Sequence, residues 1–478
     1  MDVRELLKEL PLAEAALALL GHVAGVKELS ELYDQHRGRS YQKKLSFPDL
    51  FQVVVEALVQ HQGRGRQAFE RSVERDEISC SIQAVFGKLR RVPLPLSQAV
   101  LSDCTDRVRA LYPAEQVTSP VPASLQAFHI VIIDAKTLKR VARRLKCLQG
   151  LKVGVLGGKV LAVLDGTTGL VLAFTAHPDG DSSDLPLLPD ALPLARQRLP
   201  GTRLFIADRN FCDLLQMARF TEEGDHFVLR HHQKVLFYSD TMAPTLVPSA
   251  IRQDRFGRAY TDEWGWTGSP KRSDRCYVRR ILLERPGEKP IALLTDLIDA
   301  HAYPATDILE IYLQRWGIER VFQQLSDVFG LLQLMGCTPL ASIFQASLCM
   351  LLYNVLQVLR AHVAVTHQRQ PRTLSPEQIF IDLRQQIMIV RTLSSLDQLR
   401  EAVPTFDTSS ALKEYLNDRL SACWSKRWGK APPRHTHRPP TVLLATPLPQ
   451  TKRRGGHTSV YREMQKVRAH KAVATGVA

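Results

Sequence analysis

Apolar positions recur at helical spacing through residues 1–120. LLKELPLAEAALALLGHV, PDLFQVVVEALVQH and SIQAVFGKLRR each carry an apolar stripe, separated by turns at Arg37-Gly38-Arg39 and Gly63-Arg64-Gly65-Arg66. Ser46 before Pro48, and Ser79 before the third stretch, are the expected N-caps. Lys88, Arg90 and Arg91 close that third helix, either as phosphate contacts or as solvated charges favoured by the helix dipole. A proline-rich stretch from Tyr112-Pro113 to Pro122 reads as a linker.

The pattern then changes. FHIVIID (Phe128–Asp134) and TRLFIAD (Thr202–Asp208) are continuous apolar runs, each ending in an acid, as expected of strands buried on both faces. KVLAVLD (Lys159–Asp165) and LVLAFT (Leu170–Thr175), joined by Gly166-Thr167-Thr168-Gly169, predict a hairpin. Helices are expected over Leu187–Leu199 and Leu214–Phe220, with a strand at His226–Arg230. Strands interleaved with helices predict a mixed sheet covered on both faces. Residues 232–290, with YSDT, EWGW and the alternating CYVRRILLE, predict a β-rich insertion, after which IALLT (Ile291–Thr295) resumes the main sheet. Residues 340–425 return to helical spacing, including LCMLLYNVLQVLRAHV. DILEIYLQRWGIERVFQQLSDVF (307–329) predicts a single amphipathic helix. Ile311, Ile318, Phe322 and Leu325 form its apolar stripe, and Tyr312, Arg315, Glu319 and Ser326 fall within roughly 60° of one another beside it.

Composition narrows the function classes. A chain of 478 residues is long enough for several domains. No apolar run approaches the roughly 18–20 residues of a membrane span, and the charged start MDVRELLKEL is not a secretory signal. The eight cysteines have no CxxC spacing and no accompanying histidine cluster, which argues against a zinc site or disulfide framework and for reduced thiols. Residues 426–478 hold 12 of the 63 Lys and Arg and a single acid, Glu463, so the net charge of +15 sits mostly in this proline-rich tail. Such a tail is expected to be disordered when free and to add salt-sensitive attraction to nucleic acid.

Two strand-end aspartates, Asp134 and Asp208, together with the helical Glu319 are what a two-metal phosphodiester site requires. Adjacent strands lie about 4.8 Å apart, and carboxylates on rigid elements can hold two ions about 3.5–4 Å apart. Competing acids have local explanations: Asp165 precedes a turn glycine, and the DGDSSD loop (Asp179, Asp181, Asp184) lacks the final glutamate of a calcium loop. Lys136 and Arg209, each close behind one of the two aspartates, are either DNA contacts or surface charges.

The order strand-Asp, hairpin, strand-Asp, β insertion, helix-Glu resembles the DDE transposases of bacterial insertion sequences, in particular the insertion-sequence-four type. Tyr312, Arg315 and Glu319 match its Tyr-Arg-Glu-Lys signature, with Trp316 and Ile318 completing RWxIE; Ala207–Phe211 (ADRNF) and Ile132–Asp134 also match. Ser326 stands where the signature has lysine. The resemblance spans residues 30–360. It implies an α/β multidomain chain: a ribonuclease H-like mixed-sheet core with a β-rich insertion, flanked by helical N- and C-terminal regions. The expected division is a helical DNA-binding domain over 1–120, the catalytic core over 121–231 and 291–335, the insertion over 232–290, a helical domain over 336–425 and the tail over 426–478. It further implies cut-and-paste movement of a DNA element by hydrolysis and 3′-OH strand transfer, with two Mg²⁺ (or Mn²⁺) ions held by Asp134, Asp208 and Glu319. Tyr312 and Arg315 would grip phosphate, and Trp264 or Trp266 would stack a flipped base unless they are core residues of the insertion. The implied partners are double-stranded DNA, both the element's terminal inverted repeats and its target, and a second copy assembled on that DNA. The implied setting is the cytoplasm, on the nucleoid, with no membrane. A metal-dependent nuclease on the same core and a decayed, DNA-binding relative are the alternatives.

Overall fold

The computed structural model describes residues 2–38, 42, 44–139, 141, 143–240, 252–254, 257–285, 289–331, 333–430 and 457–474. Seven helices come first: α1 (Val3–Lys8), α2 (Pro11–Val23), α3 (Val26–His36), α4 (Phe47–Val59), α5 (Gly65–Glu74), α6 (Ile82–Leu89) and α7 (Leu94–Leu111). Ser46 caps α4 in a reciprocal capping box with Asp49. Ser81, rather than Ser79, caps α6 by accepting from the Ala84 amide; the Ser79 hydroxyl is turned to the Lys44 carbonyl instead.

The sheet is built from β1 (His129–Lys139), β2 (Gly154–Asp165), β3 (Val171–His177), β4 (Arg203–Ala207) and β5 (His226–Arg230), in the spatial order β3-β2-β1-β4-β5. β1 to β3 are antiparallel neighbours, whereas β4 and β5 run parallel to β1. This order and polarity are those of a ribonuclease H-like core. Helices α8 (Leu188–Arg198) and α9 (Leu214–Phe220) cover one face, where Val131, Ile133, Phe205 and Ala207 join them in one cluster. Ile130, Ile132, Leu204 and Ile206 point the other way, into the cluster shared with the N- and C-terminal helices. Burial on both faces explains the continuous apolar runs.

The insertion extends this sheet. β6 (Phe237–Ser239), β7 (Arg252–Gln253), β8 (Ala259–Thr267) and β9 (Cys276–Leu283) join it through β9 pairing with β10 (Ile291–Thr295), which in turn pairs with β5. Then follow α10 (Ala305–Gln314), α11 (Trp316–Asp327), α12 (Pro339–Thr366), α13 (Pro376–Leu393), α14 (Leu396–Ala402) and α15 (Ser409–Ser421). α12 is long and apolar enough to cross a membrane, contrary to the expectation that no such run exists, but 89% of its most apolar window is buried inside the protein. Its Asn354 accepts from the Val171 amide (2.9 Å) and donates to the Val171 carbonyl (2.8 Å) and Thr105 Oγ1 (2.9 Å), tying α12 to the edge strand β3 and to α7.

The C-terminal region departs from the expectation of a disordered tail. Residues 431–456 lie outside the described residues, but β11 (His457–Ser459) adds a parallel strand to the start of β2 and α16 (Val460–Ala474) follows it. Val460 is fully buried, and Arg462 reaches Asp179 at 2.8 Å and Asp181 at 2.7 Å. Composition signalled charge but carried no information about a strand only three residues long.

Candidate active site

Asp134 does not end its strand, as the sequence suggested. β1 runs on to Lys139 against β2, while β4 stops at Ala207, paired with Ile133. The step leaves a notch beside β1, with Asp208 at its floor, one residue beyond the last parallel pair. Side chains alternate along a strand, so Asp134 shares a face with Ile132, and Asp208 shares the same face with Ile206. Register carries Arg230 into the row as well, because Ala207 pairs with Leu229. Sequence reasoning missed Arg230; the signal available was an arginine closing the strand HFVLR.

The expected single helix over 307–329 is two. α10 and α11 meet at Arg315, where the amide of Arg315 bonds to the Tyr312 carbonyl (3.0 Å) and that of Ile318 to the Arg315 carbonyl (3.1 Å), a local tightening toward three-residue spacing. Arg315 is buried at this joint and lies between two acids, with Nη2 2.8 Å from Glu319 Oε1 and Nη1 3.8 Å from Asp134 Oδ2. Glu319 is 57% exposed and opens to solvent rather than to the core. Tyr312 is buried, its ring 5.7 Å from the Arg315 guanidinium, and burial pushes its hydroxyl up to about 12. Trp316 is exposed at the same joint.

The acids interact. Burial pushes the Asp134 carboxyl up to about 6, and Asp208 and Glu319 add to the shift, against the Ala135 amide bond and Arg315. Asp208 Oδ1 is buried without a hydrogen-bond partner. Tyr312 Oη and Arg315 Nε are also unpartnered, so three orphaned polar atoms belong to this one site. An orphaned carboxylate oxygen beside a second carboxylate fits a hard, oxygen-seeking divalent cation. Asp134 and Asp208 satisfy that fit in chemistry and placement. Glu319 satisfies it in chemistry, but its carboxylate is held by Arg315. Among the described residues no three acidic, His or Cys side chains stand close enough together, as they lie, to hold an ion.

The other candidates fall on both sides. Lys136 shares the Asp134 face of β1; it is half-buried, with its ammonium 5.7 Å from the Phe322 ring centre, and burial lowers its pKa. Arg209 is exposed in the turn after β4. Trp264 cannot stack a base: it is buried, its indole N–H donates to the Ile298 carbonyl at 2.9 Å, and Arg279 covers its ring. Trp266, two residues on and 37% exposed, keeps an accessible face between Arg275 and Tyr277. Lys88 is likewise no phosphate contact, being buried with its ammonium on the Leu45 carbonyl. The competing acids are engaged elsewhere: Asp165 accepts from Thr167 and Thr168 in its turn, and Asp184 pairs with Lys159 at 2.7 Å.

Residues 127–355, from just before β1 to within α12, match the family model of the transposase DDE domain. The match takes in the two strands that carry Asp134 and Asp208 and the α10–α11 pair that carries Tyr312, Arg315 and Glu319. Across the whole chain, a solved structure with some similarity is the piggyBac transposase synaptic complex with hairpin DNA, at 12% identity and a TM-score of 0.41, covering 87% of this chain and 88% of that one. No curated protein matches the chain. The matched region brings Asp134, Asp208, Arg230, Tyr312, Arg315 and Glu319 to one notch at the sheet.

Proposed function

We propose that this chain is a DNA transposase of the insertion-sequence-four type, moving a DNA element by phosphodiester hydrolysis followed by 3′-OH strand transfer. The observation that carries the reading is the placement of Asp134 and Asp208 side by side on one face of adjacent parallel strands, opposite the Arg315–Glu319 joint, within the region that matches the transposase DDE domain model.

Asp134, Asp208 and Glu319 would hold two Mg²⁺ or Mn²⁺ ions, which when bound activate the attacking oxygen and neutralise charge on the leaving one. The remaining work falls to the chain. Phosphate entering the notch competes with Glu319 for Arg315, whose planar fork suits a phosphodiester, and so frees the Glu319 carboxylate to turn toward the aspartates. Tyr312 donates its hydroxyl to the same phosphate, since at about 12 its proton stays on. Arg230 faces the phosphate from the Asp208 side. Lys136 supplies from β1 the cation that Ser326 does not supply from α11. Trp266 and the exposed Trp316 offer faces to an unstacked base. Double-stranded DNA is the substrate, its terminal repeats and its target both entering the notch. Two ends must be joined, which calls for a dimer assembled on DNA, acting in the cytoplasm on the nucleoid.

Incubation of the protein with a 3′-OH oligonucleotide of the element end, supercoiled plasmid and Mg²⁺ tests this. A joined product is expected. Nicked plasmid with no joined product would replace the transposase reading with a nuclease.

A further inference from the structure

The turn Gly63-Arg64-Gly65-Arg66 has a place in the structure that the catalytic site does not account for. It is pressed against the segment that follows α11. Gly63 (φ +80°) and Gly330 (φ +67°) meet backbone to backbone: a Cβ on Gly330 would lie 2.4 Å from the Gln62 carbonyl oxygen, and one on Gly63 would lie 2.9 Å from those of Gly330 and Gln333. Only glycine allows this approach. The contact fixes Arg64 and Arg66, both exposed, at the rim of a concavity of about 370 Å³, and Arg144, from the loop between β1 and β2, enters from the other side. The guanidinium of Arg144 is held 4.4 Å from the Phe86 ring centre. Among the described residues Glu70 is the single acid of the lining, and it is paired with Arg66 at 2.7 Å. Around it the same loop exposes Lys139, Arg143, Lys146 and Lys152.

The path of β1 links the concavity to the notch. Val141 bridges to Leu334, which lines it, and Val141 is seven residues beyond Asp134 on the β1 path. At about 3.3 Å per residue that is roughly 23 Å. A duplex rises about 3.4 Å per base pair, so the separation corresponds to roughly seven base pairs. Lys136 and Lys139 lie along the way.

We infer that Arg64, Arg66 and Arg144 form a second backbone-phosphate grip that holds duplex DNA about seven base pairs from the reacting phosphate. The inference rests on the proposal that the chain acts on DNA. The three arginines come from two separate regions of the chain; the glycine contact ties Arg64 and Arg66 to the segment after α11, and Phe86 holds Arg144. The grip takes phosphate and reads no bases, so it fixes register on the duplex rather than sequence.

The test is equilibrium binding of full-length protein to fluorescent duplexes in EDTA, across a salt series. The triple substitution Arg64→Gln, Arg66→Gln, Arg144→Gln is expected to leave the melting temperature unchanged. It is expected to lower the slope of log K against log salt by about three charges' worth, roughly 2.7. Lys27→Gln, at an exposed lysine of α3, is expected to match wild type. Shortening the duplex to fewer than about seven base pairs on one flank should erase the difference between wild type and the triple variant. A triple variant with the wild-type slope, when wild type itself binds, overturns the second grip and leaves the transposase reading standing. Wild type that binds no duplex overturns both.

Discussion

Asp134 holds its proton about two units higher than a free aspartate because it is buried beside two other acids. The sign of the consequence follows from proton binding. Between about pH 4 and 6 the folded state binds a proton that the unfolded chain has released, so stability falls as pH rises through this window and the full cost persists above it. At roughly 1.36 kcal/mol per unit, the cost is about 2–3 kcal/mol for a side chain that is 20% exposed. Metal-free Asp134→Asn should therefore be more stable than wild type at pH 7.5, with the gain gone near pH 4, in denaturant titrations at both pH values. Mg²⁺ or Mn²⁺ should raise the melting temperature of wild type and leave that of Asp134→Asn nearly unchanged. At this scale neither aspartate was legible alone, since Asp165 ends a similar apolar run; it was the set of Asp134 and Asp208 with the helical Tyr312, Arg315 and Glu319 that the sequence put forward. The sequence offered Arg230 only as an arginine closing HFVLR; the place of Arg230 in the row comes from the register between β4 and β5.

At the scale of elements, the α10–α11 joint and the overhang of β1 give the notch its shape. The apolar stripe continues unbroken across residues 307–329, so periodicity predicted one helix; the tightened turn at Arg315 becomes visible only when the carbonyls on either side are placed. Position 326 sits at the same meeting of α11 with β1. Ser326 is buried, with its hydroxyl bonded to the Phe322 carbonyl, while Lys136 lies over the Phe322 ring from β1. Ser326→Lys would bring a second ammonium into a buried site one helical turn from an existing one. It should lower stability by about 1–3 kcal/mol and give no gain in DNA nicking. Lys136→Ala, by contrast, should weaken binding of the cleaved end with little change in melting temperature, as read by gel shift and calorimetry.

Across the whole molecule, the sheet core is held between helices from both ends of the chain, and single polar side chains carry much of that attachment. Asn354 is fully buried and satisfies both backbone groups of Val171 on an edge strand. Asn354→Ala leaves those groups orphaned and should cost about 2–4 kcal/mol in chemical denaturation, with α7 and β3 losing amide protection together. That arrangement was beyond the sequence, since nothing local marks an asparagine in an apolar helix as a partner for a strand more than 180 residues away. The return of residues 457–474 to β2 was illegible for the same reason. The account as a whole depends on the three carboxylates acting as one centre, and nicking of supercoiled plasmid that carries the element ends, in Mg²⁺, tests that most directly. Wild type should nick, while Asp134→Asn, Asp208→Asn and Glu319→Gln, each folded, should all fall to background. Glu319→Gln that nicks at the wild-type rate would contradict it.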